Sequence, residues 1–421
     1  MKLVILVLEL SSLGAAVPWR EELAEADKLT RTSQNAAADR VYQQILEQAN
    51  GLNAAELNAL GLGLYEIARY RDAEWAYRRS LEAWDKLGPK VAASRSITAG
   101  NLGSTLQIEG RFQEAEPLFL DRLHAAERFD GADSRQAADA ITALAEFYRA
   151  WGRPEEAEKF ARRAESILSQ IADATEERIA SQRILAAVLL DAGRYAEGEE
   201  LLRGLIDKLP ERAAVGAYND LAVAETWQQH FKEAKPWAEH ALELARRVFP
   251  PKHRMIAVSL NNLAQIQRFE GRYLEAEANY REAIAVWEQS LGPRNPDTAK
   301  GIMNLAAFYH DRGRESGAED LYRRASSIFE SSLGKSHPFT LVARNELGEV
   351  LRAEHRYSES ERLSRATLGP LENSLGDRDS RVIRALSNYA RLLQETRRAR
   401  EAAGIRHRIA GMGEGFRNQN P

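Results

Sequence analysis

The chain has 421 residues, with 58 Lys and Arg against 62 Asp and Glu, 13 Pro and no Cys. A net charge of −4, with basic and acidic residues interleaved, is the pattern of solvated helix faces and points away from nucleic acid as a partner. The missing Cys excludes disulfides, thiolate metal sites and cysteine nucleophiles.

In chain order, the first element is an apolar run. Met1-Lys2 precedes Leu3–Leu8, followed by Glu9, small residues from Ser11 to Ala16, and Pro18. A basic start, a short apolar core and small residues before a cut after Ala16 resemble a secretory signal over residues 1–17. The core is too short for a stable membrane anchor. Glu9 counts against the signal, because a charge weakens the apolar core. Two readings stay open: an exported (periplasmic or secreted) protein, or a cytoplasmic one whose leading helix packs on the remainder. Residues 18–52 follow, with Leu23, Ala26, Leu29, Val41, Ile45 and Leu46 as apolar positions. They predict one or two helices that cap what comes next.

From residue 53 the chain repeats itself. GRYLEAE at Gly271–Glu277 recurs in variant form at Gly110–Glu116, Gly152–Glu158, Gly193–Glu199 and Gly313–Glu319. Weaker copies lie at Ala68–Glu74, Gln229–Lys235, Glu354–Glu361 and Thr396–Ala403. Aligning on the small residue near the end of the phrase gives Ala73, Ala115, Ala157, Gly198, Ala234, Ala276, Ala318, Ser360 and Ala402. The spacings are 42, 42, 41, 36, 42, 42, 42 and 42. A second pair precedes each anchor by 13 and 12 residues, from Leu60-Gly61 to Tyr389-Ala390. Fixed-period self-similarity of this kind is the signature of a solenoid. Pair and anchor fall on two helices whose small residues allow close approach. Large residues four positions on, such as Leu64 with Tyr77 or Leu106 with Phe119, fill the space around them. The Gly-Arg between the helices stops the first and turns the chain. One contraction, near residues 205–216 at Leu209-Pro210-Glu211, should divide the array into repeats one to four and five to nine. Residues 411–421 read as a disordered tail.

Leu, Gly or Ala, Tyr or Leu, then Ala, Tyr or Phe and Ala resemble the tetratricopeptide repeat. The long period resembles its kinesin-light-chain subtype, as do Leu291-Gly292…Asn295-Pro296-Asp297-Thr298, Leu333-Gly334…His337-Pro338-Phe339-Thr340 and Ser259-Leu260-Asn261-Asn262-Leu263-Ala264. The resemblance covers roughly residues 53–410 and implies an all-α, right-handed superhelical solenoid of about nine helix-turn-helix repeats. It also implies a protein-interaction adaptor or scaffold, not an enzyme, with no cofactor and no metal.

Direct inspection for chemistry agrees with that expectation. There is no phosphate loop, no nucleophile elbow and no metal-binding His helix. Gly61-Leu62-Gly63 falls inside a helix, and the His residues read as surface or linker positions.

What remains is the concave face, which the first helix of each repeat lines in this family. The position 14 residues before each anchor reads Ala59, Asn101, Ala143, Ile184, Asp220, Asn262, Asn304, Glu346 and Asn388. An Asn amide both donates to and accepts from an extended backbone. The resemblance implies that role for Asn101, Asn262, Asn304 and Asn388, with Asn261 beside them. Other groove-facing offsets add Gln265, Lys300, Arg391 and the series Arg268, His310 and Arg352. The expected ligand is an extended protein segment bearing acidic groups. In repeats one to four, Leu62, Tyr65, Ile108 and Leu190 make the face more apolar, suited to an amphipathic helix or to the chain's own N-terminal segment. The alternative is a structural or self-assembling scaffold, a homo-oligomer that stacks through its ends or convex surface without a dedicated groove.

Overall fold

The computed structural model describes residues 18–31 and 34–417. The proposed signal segment and residues 418–421 lie outside them. The described residues form twenty α-helices in antiparallel pairs. Two precede the repeats, α1 (Pro18–Arg31) and α2 (Asn35–Gln48). The nine repeats are α3 (Ala54–Glu66) with α4 (Tyr70–Leu87), α5 (Ala92–Ile108) with α6 (Phe112–Phe129), and α7 (Arg135–Trp151) with α8 (Pro154–Ser169). Next come α9 (Thr175–Asp191) with α10 (Tyr195–Ile206), α11 (Glu211–Trp227) with α12 (Phe231–Val248), and α13 (Arg254–Phe269) with α14 (Tyr273–Leu291). The last are α15 (Pro296–Asp311) with α16 (Glu315–Leu333), α17 (Pro338–Ala353) with α18 (Tyr357–Leu375), and α19 (Ser380–Glu395) with α20 (Ala399–Arg417). Helix α20 thus continues past residue 410.

The register read from the sequence is the packing register. The anchors Ala73, Ala115, Ala157, Ala234, Ala276 and Ala318 have no exposed surface, and Leu60, Leu144 and Leu221 likewise have none. A Cβ added at Gly61 would lie 2.7 Å from the Tyr77 ring, so the small residue makes room for the aromatic four positions past the anchor. The Gly of the phrase adopts the left-handed conformation, as at Gly271 with φ of 80°. In the weaker copies the same conformation is held by Ala68, Gln229, His355 and Arg397, with φ of 61–64°.

The Arg of the phrase links repeats. Arg111 donates to Glu114 in its own helix at 2.7 Å and to Glu74 of the preceding repeat at 2.7 Å. Arg356 repeats this with Glu359 and Glu319, and Arg398 with Glu401 and Glu361. Arg69 reaches Asp39 at 2.9 Å, one residue past the fully buried Ala38. The α1–α2 pair therefore joins the same ladder. The ladder lapses at repeat five, where His230 replaces the Arg and Lys235 replaces the terminal Glu.

The six-residue contraction shortens α10 to 12 residues and starts α11 directly after Pro210. The apolar core thins there into two small clusters, around Leu185 and Leu189 and around Leu202 and Leu221. Larger clusters lie on either side.

The superhelix closes on itself after one turn. Helix α4 meets α16, and α1 meets α14. The turns between the helices of repeats one to three sit on the loops that open repeats seven to nine. Tyr70 and Ile108 pack against the core of repeats six to eight. Phe112 shares a core cluster with Leu371 and Leu375. His337 Nε2 lies 2.6 Å from the Ile108 carbonyl, and Ser374 Oγ donates to the Gly110 carbonyl at 3.1 Å. Gly110 is what permits this approach: a Cβ there would lie 2.4 Å from Pro338 Cδ. His337 is therefore a linker residue but not a surface one; only 5% of it is exposed. Ile108, expected in the groove, is instead part of this seam.

Candidate functional site

Residues 14 and 15 positions before the anchor are successive positions on the first helix of each repeat. The structure joins them across repeats. Asn101 donates to Asn58 Oδ1 at 3.0 Å, Asn262 to Asn219 at 3.0 Å and Asn304 to Asn261 at 2.9 Å. Each rung spends one amide N–H of the outer Asn on the preceding repeat. Asn219 is further held by its donations to the Val215 carbonyl and Ser259 Oγ, both at 2.9 Å. In repeats eight and nine the same two positions hold Asn345 and Asn388. There the rung is open: Asn345 Oδ1 is buried with no hydrogen-bond partner.

The cations are brought to the same face, each against a carboxylate of the chain. Arg268 pairs with Asp311, and Lys300 with Asp297 at 2.9 Å while resting over the Phe339 ring. His310 Nδ1 lies 2.6 Å from Glu315, and Arg352 bonds Glu349 through two nitrogens at 2.8 and 3.1 Å and also reaches Glu395. Arg391 also binds Glu349, and Arg384 holds Glu346 at 3.1 Å. Gln265 is half-buried on α13 beside this series.

Exposure separates these cations. The side chains of Arg352 and Arg268 are 15% and 21% exposed, so they are committed to their internal partners. Arg384 and Arg391 are 66% and 54% exposed and keep unused N–H donors open to solvent. Glu346 and Glu349 are buried beneath them. Burial raises the Glu346 carboxyl above its ordinary range, opposed by the Arg384 guanidinium. Glu349 holds the Arg352 proton more firmly than usual.

The sequence reading found the outer Asn of each rung but missed the acceptors Asn58 and Asn219 and the unpaired Asn345; it placed Glu346 and Glu349 on this face but not their burial. Asn58, Asn219, Asn261 and Asn345 share one offset, so the register itself carried that signal. Toward the N-terminus, Tyr65 meets Tyr70 edge-on with centroids 5.5 Å apart, and Leu62 and Leu190 are half-buried.

No group of three or more His, Cys, Asp or Glu among the described residues is placed to hold a metal ion, and no described helix is long and apolar enough to cross a membrane. Fold and face together define a helical-repeat protein that offers a surface. A family model for the tetratricopeptide repeat matches residues 94–170, 213–289, 256–331 and 297–369, together more than half the chain, and the chain belongs to that family. Its long repeats are of the kinesin-light-chain-like kind.

Solved structures of low identity accompany this. A putative kinesin light chain from Podosopora anserina with nearly identical TPR-like repeats is 18% identical, with a TM-score of 0.42, covering 50% of this chain and 99% of that one. BtubC (BKLC) from P. vanneervenii is 20% identical, with a TM-score of 0.43 and coverage of 57% and 93%. A Rap protein complexed with competence and sporulation factor is 16% identical, with a TM-score of 0.48 and coverage of 96% and 99%. No curated protein matches the chain.

Proposed function

We propose that this chain is a protein-interaction adaptor whose concave face in repeats six to nine holds an extended, acidic segment of a partner protein. The observation that carries the reading is the exposure of Arg384 and Arg391, 66% and 54%, each already paired to a buried carboxylate but with N–H donors to spare. Acidic groups on a partner would engage these two exposed guanidinium groups and Lys300, while Arg268 and Arg352 keep their internal carboxylates. The closed rungs leave Asn262 and Asn304 with their second N–H and their carbonyl for a partner backbone.

A displayed library of random peptides tests this. Selection on the wild-type chain should enrich acidic sequences. Those peptides should bind the Asn262→Ala/Asn304→Ala and Arg384→Ala/Arg391→Ala variants at least tenfold more weakly, with helical content unchanged. Enriched peptides that bind both variants as tightly as wild type would sink the reading.

A further inference from the structure

Among the described residues, the large apolar side chains left exposed are Leu87, Phe129, Trp227, Phe269, Tyr273 and Leu274. They are not scattered. Trp227, Phe269, Tyr273 and Leu274 lie on the inter-helix turns of repeats five and six, where Phe231 stacks on Phe269 with centroids 5.0 Å apart. Leu87 and Phe129 end α4 and α6, on the opposite edge of the coil. These edges are continuations of the two that meet in the seam.

The register makes the correspondence specific. Seven residues before the anchor, Ile108 is covered by the seam, while Trp227 and Phe269 occupy that position uncovered. Three residues before it, Tyr70 and Phe112 are packed in the seam, while Phe231 and Tyr273 are the equivalents on the free edge. On the other side, Leu375 ends α18 and is 7% exposed in the core it shares with Phe112, whereas Leu87, ending α4, is 61% exposed. The Arg–Glu ladder also lapses at repeat five, beside the uncovered aromatics.

We infer that a second copy of this chain covers these edges, head to tail, by the contact the chain already makes with itself. In the seam, each turn meets the loop that opens the sixth repeat further on, as Gly110 of repeat two meets Pro338 of repeat eight. Carried into a next copy whose α1–α2 pair follows α19–α20, that register sets Phe269, Tyr273 and Leu274 against the Leu87 loop. It sets the turn of repeat seven against the Phe129 loop. Such a contact joins two different surfaces, so it does not close at two copies and builds an open helical assembly. Apolar clusters of this kind mark interaction surfaces. The inference is independent of the groove.

Sedimentation of the full chain over a hundredfold concentration range tests it. The wild type should grow in mass without stopping at a dimer. Leu274→Glu and Leu87→Glu, both at exposed positions, should each stay monomeric. An equimolar mixture of the two variants should form dimers only, since one intact edge of each kind remains. A wild type that is monomeric throughout overturns the inference. So does a wild-type dimer insensitive to Leu87→Glu, which would be a symmetric contact of the aromatic edge alone. Assembly that appears only when residues 1–17 are removed would overturn it too, by making that segment the occupant.

Discussion

His337 shows how one side chain can serve two structures. Its Nδ1 accepts the Phe339 N–H at 3.0 Å and caps α17, while its Nε2 donates across the seam to Ile108. Both bonds require a neutral ring with its proton on Nε2. Burial, helped by Lys300 and Arg381, lowers its pKa from 6.5 to about 4. The folded state thus binds the proton less readily than the unfolded chain. Its stabilising contribution is full above pH 6.5 and is lost as pH falls toward 4, a change of about 3 kcal/mol by linkage. Glu109, on the facing turn, runs the other way. Burial and the nearby Glu74 raise it to about 7, so its contribution is lost as pH rises through 7. Asn295 caps α15 as His337 caps α17, so His337→Asn keeps a cap and removes the titration. Between pH 6.5 and 4 the urea midpoint of the wild type should fall faster than that of His337→Asn, so the wild type loses its lead as the pH drops. Parallel pH profiles would refute this account.

At the scale of the element, each repeat needs a tight turn with one residue in the left-handed conformation. Glycine holds it in the strong copies of the phrase; Gln229 and His355 hold it against a side-chain penalty of about 1–2 kcal/mol in theirs. Gln229→Gly should therefore stabilise the chain by up to about 1 kcal/mol after the entropy of a freer unfolded glycine is subtracted. Thermal unfolding checks this, and a lower midpoint would show that Gln229 makes a contact worth more than the strain. Pairing of helices, turn position and buried faces were legible in the sequence because each depends on residues within one repeat. The six-residue contraction was legible for the same reason, but the sequence placed it in the connection at Leu209-Pro210-Glu211, whereas the structure takes it from α10. The Asn rungs were legible only in part. The outer Asn was visible at a fixed offset, but its acceptor belongs to the preceding repeat and lies one position off that offset.

The seam belongs to the whole molecule and was not legible at all. It joins residues such as Ile108 and His337 that no period relates. It depends on the accumulated rotation of six successive pairs, which no local pattern records. Two glycines isolate its contribution. Gly110 and Gly271 both have positive φ, at 72° and 80°, but an added Cβ meets Pro338 at the first and open space at the second. Gly271→Ala should cost the backbone strain alone, more than about 1 kcal/mol. Gly110→Ala should cost at least twice as much and should also raise the radius of gyration in X-ray scattering. Equal losses with unchanged radii would mean that the two turns of the coil do not touch in solution.

A solenoid whose units touch only their neighbours is mechanically a coil spring, and extends by separating adjacent pairs slightly. The contacts of Gly110, Ile108 and Ser374 across the coil act as a clasp on that spring. Under tension along the superhelix axis, the first event is release of the clasp. It is abrupt because the bonds of His337 and Ser374 and the packing of Phe112 must part together. Only after it does the chain regain the gradual compliance expected of an open array.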